Sequence, residues 1–93
     1  MNKCVKISFD ISYPENFLRT FVQKHATSLG LEGLAQASHI EQRTIVMVYG
    51  PKDDVEAFVD VLHKGTKDVQ LKNLEVEPFL KTKDYRGVFR VIE

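Results

Sequence analysis

Disulfides, tryptophan and net charge are all missing from this chain. It has one cysteine, Cys4, which excludes an intramolecular disulfide. The expected place for that thiol is as a small hydrophobe near the start of a strand, and a single cysteine suits a reducing compartment. Thirteen Lys and Arg balance thirteen Asp and Glu. That leaves no overall basic field to draw in nucleic acid or an anionic membrane. No apolar run approaches the ~18 residues of a membrane-spanning helix. Met1-Asn2-Lys3 leads into an alternating strand without the apolar stretch of a signal peptide. The expectation is a cytoplasmic protein without nucleic-acid or membrane partners. The three histidines, His25, His39 and His63, match no metal-ligand spacing, and no Cys-x-x-Cys is present. No metal and no cofactor are therefore expected.

The 93 residues, 43% apolar and 28% charged, suit one domain spanning 1–93. Residues 3–12 alternate, with Val5, Ile7, Phe9 and Ile11 on one face and Lys6, Ser8, Asp10 and Ser12 on the other. A period of two predicts a half-buried strand, broken at Tyr13-Pro14. Over 15–29 the period lengthens, and Leu18, Phe21, Val22, His25, Ala26 and Leu29 make a helical stripe that starts at Pro14 or Glu15 and stops at Gly30.

Residues 31–37 read as a modest strand and 43–49 as a stronger one, joined by the polar connection Ser38–Gln42 as a hairpin. Pro51 then opens a second helix at its first helical position. Asp53, Asp54 and Glu56 lie at its positive end, His63 and Lys64 at its negative end, and Gly65 stops it. Residues 69–79 predict a strand whose spacing slips at Lys72-Asn73, marking a bulge or a late start. Pro78 ends it early or puts it at an edge. The turn Lys81-Thr-Lys-Asp84 leads to a last strand through Val88–Ile92.

This pattern predicts an α+β fold: a ferredoxin-like β-α-β-β-α-β sandwich with a four-stranded antiparallel sheet and two helices on one face. RNA-binding domains of that topology stack bases on aromatics of the central strands. Here the strand 43–49 offers only Tyr49, and the outward residues Lys6, Ser8, Asp10 and Arg43 are of mixed charge.

Within that frame, particular residues carry a family resemblance. Arg19-Thr-Phe-Val-Gln23, then Ala26 and Leu29-Gly-Leu-Glu-Gly33, resemble the first helix and following strand of the acylphosphatases. Tyr49 to Phe58, running on to Lys64-Gly65, resembles their second helix. Val76-Glu-Pro78 and Gly87–Ile92 fit their last two strands. The resemblance implies a metal-free hydrolase of carboxyl-phosphate anhydrides. A glycine-rich loop would cradle the phosphate, a helix-start Arg would hold its oxygens, and an Asn at the end of the second strand would orient water. Such chemistry is dominated by positioning and charge stabilisation.

Carried over residue by residue, the phosphate loop falls on Glu15, Asn16, Phe17, Leu18 and Arg19, with Arg19 as the phosphate-binding arginine. The segment Ser12–Leu18 has no glycine, Pro14 lacks an N–H, and Glu15 places a carboxylate where the phosphate would sit. Asn16 is the residue that tolerates a left-handed conformation. Ala37 stands where the family has Asn, and a shift of one residue brings in Ser38 as a shorter substitute.

Two readings follow. In the favoured one the phosphate cradle is degenerate, hydrolysis is weak or lost, and the domain is a binding or interaction module for a small anionic, phosphate-bearing ligand. In the alternative it is an active acylphosphatase with Arg19 and Ser38 as its catalytic residues. No residue specifies an oligomeric state.

Overall fold

The alternation at the N-terminus folds as β1 (Asn2–Asp10), whose Val5, Ile7 and Phe9 point into the core of a computed structural model that describes residues 1–81 and 84–92. The first helix, α1, joins a π-wound segment, Leu18–Gln23, to the α-helical Lys24–Ser28. β2 (Glu32–Ser38) and β3 (Arg43–Pro51) form the expected hairpin. Then come α2 (Lys52–Lys64), β4 (Glu75–Pro78) and β5 (Phe89–Ile92).

The sheet order is β4-β1-β3-β2-β5. The fold is α+β and ferredoxin-like, with one addition to the expected four antiparallel strands. The last strand expected through Val88–Ile92 forms as β5, but as a fifth strand of the sheet, and it pairs parallel to β2 with Leu34 beside Arg90. β4 and β5 lie at opposite edges, so the chain between them crosses the sheet. On that path Phe79 N–H donates to the Cys4 carbonyl (3.1 Å), Lys81 pairs with Glu32 (3.0 Å), and the Tyr85 hydroxyl donates to Met47 Sδ (3.7 Å). Cys4, Glu32 and Met47 alternate with buried core residues, so the crossing runs over the face opposite the helices. The turn expected at 81–84 lies partly outside the described residues.

Both helices cover the other face. Val22 and Ala26 of α1, and Val55, Phe58 and Leu62 of α2, meet Ile7, Phe9, Val46 and Val48 with no solvent exposure. Burying each such aliphatic or aromatic side chain contributes about 1.5–3 kcal/mol.

Three boundaries differ from the sequence expectation. α1 begins at Leu18, not at Pro14 or Glu15, because Asn16 is left-handed (φ +71°) and interrupts the helical path. Pro51 is extended (ψ 139°) and still pairs with Asn2, so it precedes the helix instead of opening it. The slip at Lys72-Asn73 interrupts the bonding to β1: Asp10 N–H donates to the Lys72 carbonyl (2.9 Å), Asn73 then turns left-handed (φ +53°), and regular pairing runs from Glu75. Pro78 ends that strand, and the strand is an edge.

Candidate functional site

β1 ends at Asp10 because the chain leaves the sheet, with Ile11 N–H donating to the Gln42 carbonyl at 3.1 Å. The next residues turn toward the start of α1. Tyr13 anchors this loop inward. Its hydroxyl is hydrogen-bonded to the hydroxyl of Thr44, a fully buried polar residue on β3. Its ring meets Phe9 edge to face at 6.0 Å and stacks on Phe17 at 5.2 Å. The stack continues from Phe17 to Phe21 (5.0 Å) and from Phe21 to His25 (4.5 Å). Tyr13, Phe17, Phe21 and His25 recur every fourth residue, so the loop and α1 share one aromatic row.

The turn at Glu15-Asn16 sets which backbone donors remain. Phe17 N–H donates to the Pro14 carbonyl (3.1 Å). The Asn16 carbonyl accepts from Arg19 N–H (3.1 Å), Thr20 N–H (2.8 Å) and the Thr20 hydroxyl (2.9 Å). The N–H groups of Glu15, Asn16 and Leu18 have no acceptor among the described residues. Pro14 has no N–H to offer.

Between this loop and the end of β2 lies a cavity of about 380 Å³. On the loop side Ile11, Tyr13, Pro14 and the run Glu15–Leu18 line it. On the hairpin side the lining is Ala37 and His39. Four of the five expected loop residues therefore meet Ala37 around one space. The fifth, Arg19, is exposed on the first turn of α1 and is not part of the lining. Ser38 is not part of it either. It closes β2 opposite Arg43, and its hydroxyl accepts from Glu41 N–H at 3.3 Å in the hairpin turn.

Sequence reasoning misses Tyr13 and His39 as site residues, since the first reads as a strand break and the second is weighed only as a metal ligand; Pro14 enters it only as a missing N–H in the loop. The four-residue recurrence of Tyr13, Phe17, Phe21 and His25 was the signal for the first. Nothing in the sequence marks His39, whose place depends on the hairpin.

A second concavity, about 340 Å³, lies on the open sheet face among Lys6, Ser8, Arg43, Glu75 and Glu77. Its cations are already engaged. Arg43 Nη1 reaches Asp10 at 2.7 Å, Nη2 reaches Glu75 at 2.8 Å, and Lys6 pairs with Glu77 at 3.7 Å. Arg43 is a clamp between strands. Among the described residues no three His, Cys, Asp or Glu side chains converge as a metal-ligand set, and no helix is long and apolar enough to cross a membrane.

A ferredoxin-like α+β domain with its candidate site between the first loop, the start of α1 and the end of β2 is the class defined by this geometry. Comparison with known proteins narrows it. The family model for acylphosphatase matches residues 16–91. An acylphosphatase of Caldivirga maquilingensis is 30% identical over 69 residues, covering 74% of this chain and 73% of that protein. The fold is shared with the solved acylphosphatase of Coxiella burnetii at a TM-score of 0.80 and 22% identity, covering 98% of this chain and 93% of that one. It is shared as well with the acylphosphatase of Bacillus subtilis at 0.76 and 20% identity, each chain covered completely. The chain belongs to the acylphosphatase family.

Proposed function

We propose that this protein keeps the acylphosphatase scaffold as a binding module and hydrolyses acyl phosphates weakly or not at all. The observation that carries this reading is the composition of the cavity wall. Where the family resemblance calls for glycine backbone, an arginine and an asparagine, the lining residues are Pro14, Glu15 and Ala37, and among the described residues neither Lys nor Arg lines the cavity. A methyl cannot orient the attacking water, and a carboxylate repels the charge that an arginine would stabilise. Removing one such transition-state donor from an active site costs roughly 10²–10³ in rate.

One feature favours the active alternative. The N–H groups of Glu15, Asn16 and Leu18, without acceptors among the described residues, leave donors for an anion beside the left-handed Asn16. In that reading Arg19 turns toward the phosphate, and Ser38 or a backbone group holds the water.

Hydrolysis of a simple acyl phosphate by the purified protein, beside Arg19→Ala, decides between them. The expected result is a background rate for both. Turnover that disappears in Arg19→Ala overturns the binding-module reading. Ala37→Asn tests the same point from the other side. With the loop degenerate, restoring that one side chain leaves the rate near background.

A further inference from the structure

No described strand pairs with the outer edge of β4, and the bonding of β1 shows which backbone groups face outward there. Odd-numbered residues on the β1 path bond toward β3: the Met1 carbonyl accepts from Lys52 N–H (2.9 Å), and Ile11 N–H donates to the Gln42 carbonyl (3.1 Å). Even-numbered ones bond toward β4: the Cys4 carbonyl accepts from Phe79 N–H (3.1 Å), and Asp10 N–H donates to the Lys72 carbonyl (2.9 Å). Glu75 and Glu77, opposite Ser8 and Lys6, therefore turn their backbone groups to β1. Val76 and Pro78 turn theirs outward. Pro78 lacks an N–H, so the open row is the N–H and carbonyl of Val76 and the carbonyl of Pro78. Shortness and a proline guard an edge against long strands. They leave a row that a segment of a few residues can use.

The side chains of this edge have a pattern of their own. Val76 lies beside Ile7, on the side of the helices. α2 packs on β1 and β3 and leaves β4 uncovered, so Val76 is 39% exposed. Between β4 and α2 is a concavity of about 400 Å³, with Val5, Val55, Val59 and Val76 as its apolar lining and Glu56 and Asp60 as its acids. On the open face of the sheet stand Glu75 and Glu77. Glu56 pairs with Lys3 (3.5 Å), Glu77 with Lys6 (3.7 Å), and Glu75 shares Arg43 with Asp10. Five carboxylates thus meet three cations, and a chain of zero net charge has a locally acidic edge.

We infer that the β4 edge receives a short extended segment of a partner protein in which basic and apolar residues alternate. An apolar residue exchanges two backbone hydrogen bonds with Val76 and lays its side chain over the concavity. The Lys or Arg on either side of it meets Glu75 and Glu77 on the open face. The same strand of a second copy does not fit, because antiparallel pairing at Val76 sets Glu75 of each copy opposite Glu77 of the other. This surface shares no lining residue with the cavity beside the 11–18 loop. The inference therefore goes beyond the binding-module reading and stands whether or not acyl phosphate is hydrolysed.

The test is an amide NMR titration of the whole chain, at constant ionic strength, with acetyl-Lys-Val-Lys-Val-Lys-amide. The same peptide with Glu for Lys reverses the charge. The same peptide with Pro for Val keeps the charge and removes the N–H groups that would pair. The first peptide is expected to shift the amides of residues 75–77 and 56–60 saturably and to slow exchange of the Val76 N–H. The other two are expected to bind weaker by about tenfold or more, the worth of one or two net backbone hydrogen bonds. Glu77→Gln is expected to weaken binding by up to about fivefold, as befits one exposed ion pair. Val76→Pro removes an N–H that β1 does not use and is expected to abolish binding while the β3 amides stay in place. Val76→Lys, a substitution at an exposed side chain, is expected to do the same without touching the backbone.

An absence of shifts at residues 75–77 overturns the inference. So does equal binding of the proline peptide, which would mean attraction by charge alone, or of the glutamate peptide. Binding unchanged in Val76→Lys overturns it as well. Shifts at these amides that grow with protein concentration and need no peptide would assign the edge to a second copy and overturn the partner segment.

Discussion

Two hydroxyls decide how the site loop is held. Among the described residues Thr44 is the one buried polar residue, on a face with Val46, Val48 and neighbouring apolar side chains, and its partner is Tyr13 from the loop. A buried hydroxyl left without a partner costs about 1–3 kcal/mol, whereas replacing both members with apolar groups of similar shape is much cheaper. Tyr13→Phe should therefore destabilise the protein by about that amount, and Thr44→Val added to it should recover much of the loss. Urea unfolding of the two single variants and the double variant measures the coupling. Additive effects would mean that the hydroxyl pair does not hold the loop. At the same scale, Ala37 and Glu15 were legible as departures from the family pattern from their identities alone. That Arg19 lies outside the cavity wall was not, because helical position does not fix where a long, flexible side chain ends.

At the scale of elements, the hairpin and α1 frame the cavity, and each depends on an unusual backbone. In β2, Gly33 has φ +148°, and a Cβ placed there would overlap the carbonyl oxygen of Met47 on β3. Gly33→Ala is expected to cost more than about 2 kcal/mol by forcing these two central strands apart. Thermal or chemical unfolding checks this, and a cost within experimental error would show that the strands can separate without loss.

In α1, the helical stripe was readable from spacing, but the π-wound start was not. The wide turn spans Leu18–Gln23, after Asn16 has taken the left-handed conformation and its carbonyl has gathered three donors. Such turns often accompany functional sites, and this one adjoins the cavity. Hydrophobic periodicity reports which face of a helix is buried. It does not report how its first turn is wound, which depends on hydrogen bonds made outside the helix.

Over the whole molecule, the two edges of the sheet are secured by different devices. At the β4 edge, Arg43 binds Asp10 (2.7 Å), Ser8 (3.0 Å), Glu75 (2.8 Å) and the Asn73 carbonyl (3.0 Å), joining β1, β3 and the approach to β4. At the β5 edge, Gln23 of α1 donates to the Phe89 carbonyl at 3.0 Å.

The first device makes stability depend on pH. Hydrogen bonding by Arg43, and then by Asn73, lowers the Asp10 carboxyl below its ordinary value of 3.8. A group whose native pKa is depressed adds stability that is fully present above its unfolded value. That stability is lost as the pH falls through the lower native value. The stability difference between the wild type and Asp10→Asn should thus be largest above about pH 4.5 and should shrink on acidification below that. Denaturant unfolding at a series of pH values from neutral to acidic measures it. A difference that stays constant with pH would remove Asp10 from the acid response.

The sequence by itself determined the order of the strands and helices, the core faces and the family. Period-two and helical spacings are set by backbone geometry and the burial of apolar side chains, and both act locally. Only the tertiary structure decided that the last strand joins the far edge parallel to β2, that the chain crosses the open face to reach it, and that Arg43 serves as a clamp. It alone also brought Ala37 and His39 to Tyr13 and Glu15 around one cavity. These depend on contacts between residues far apart in the chain, where spacing carries no information and packing sets the outcome.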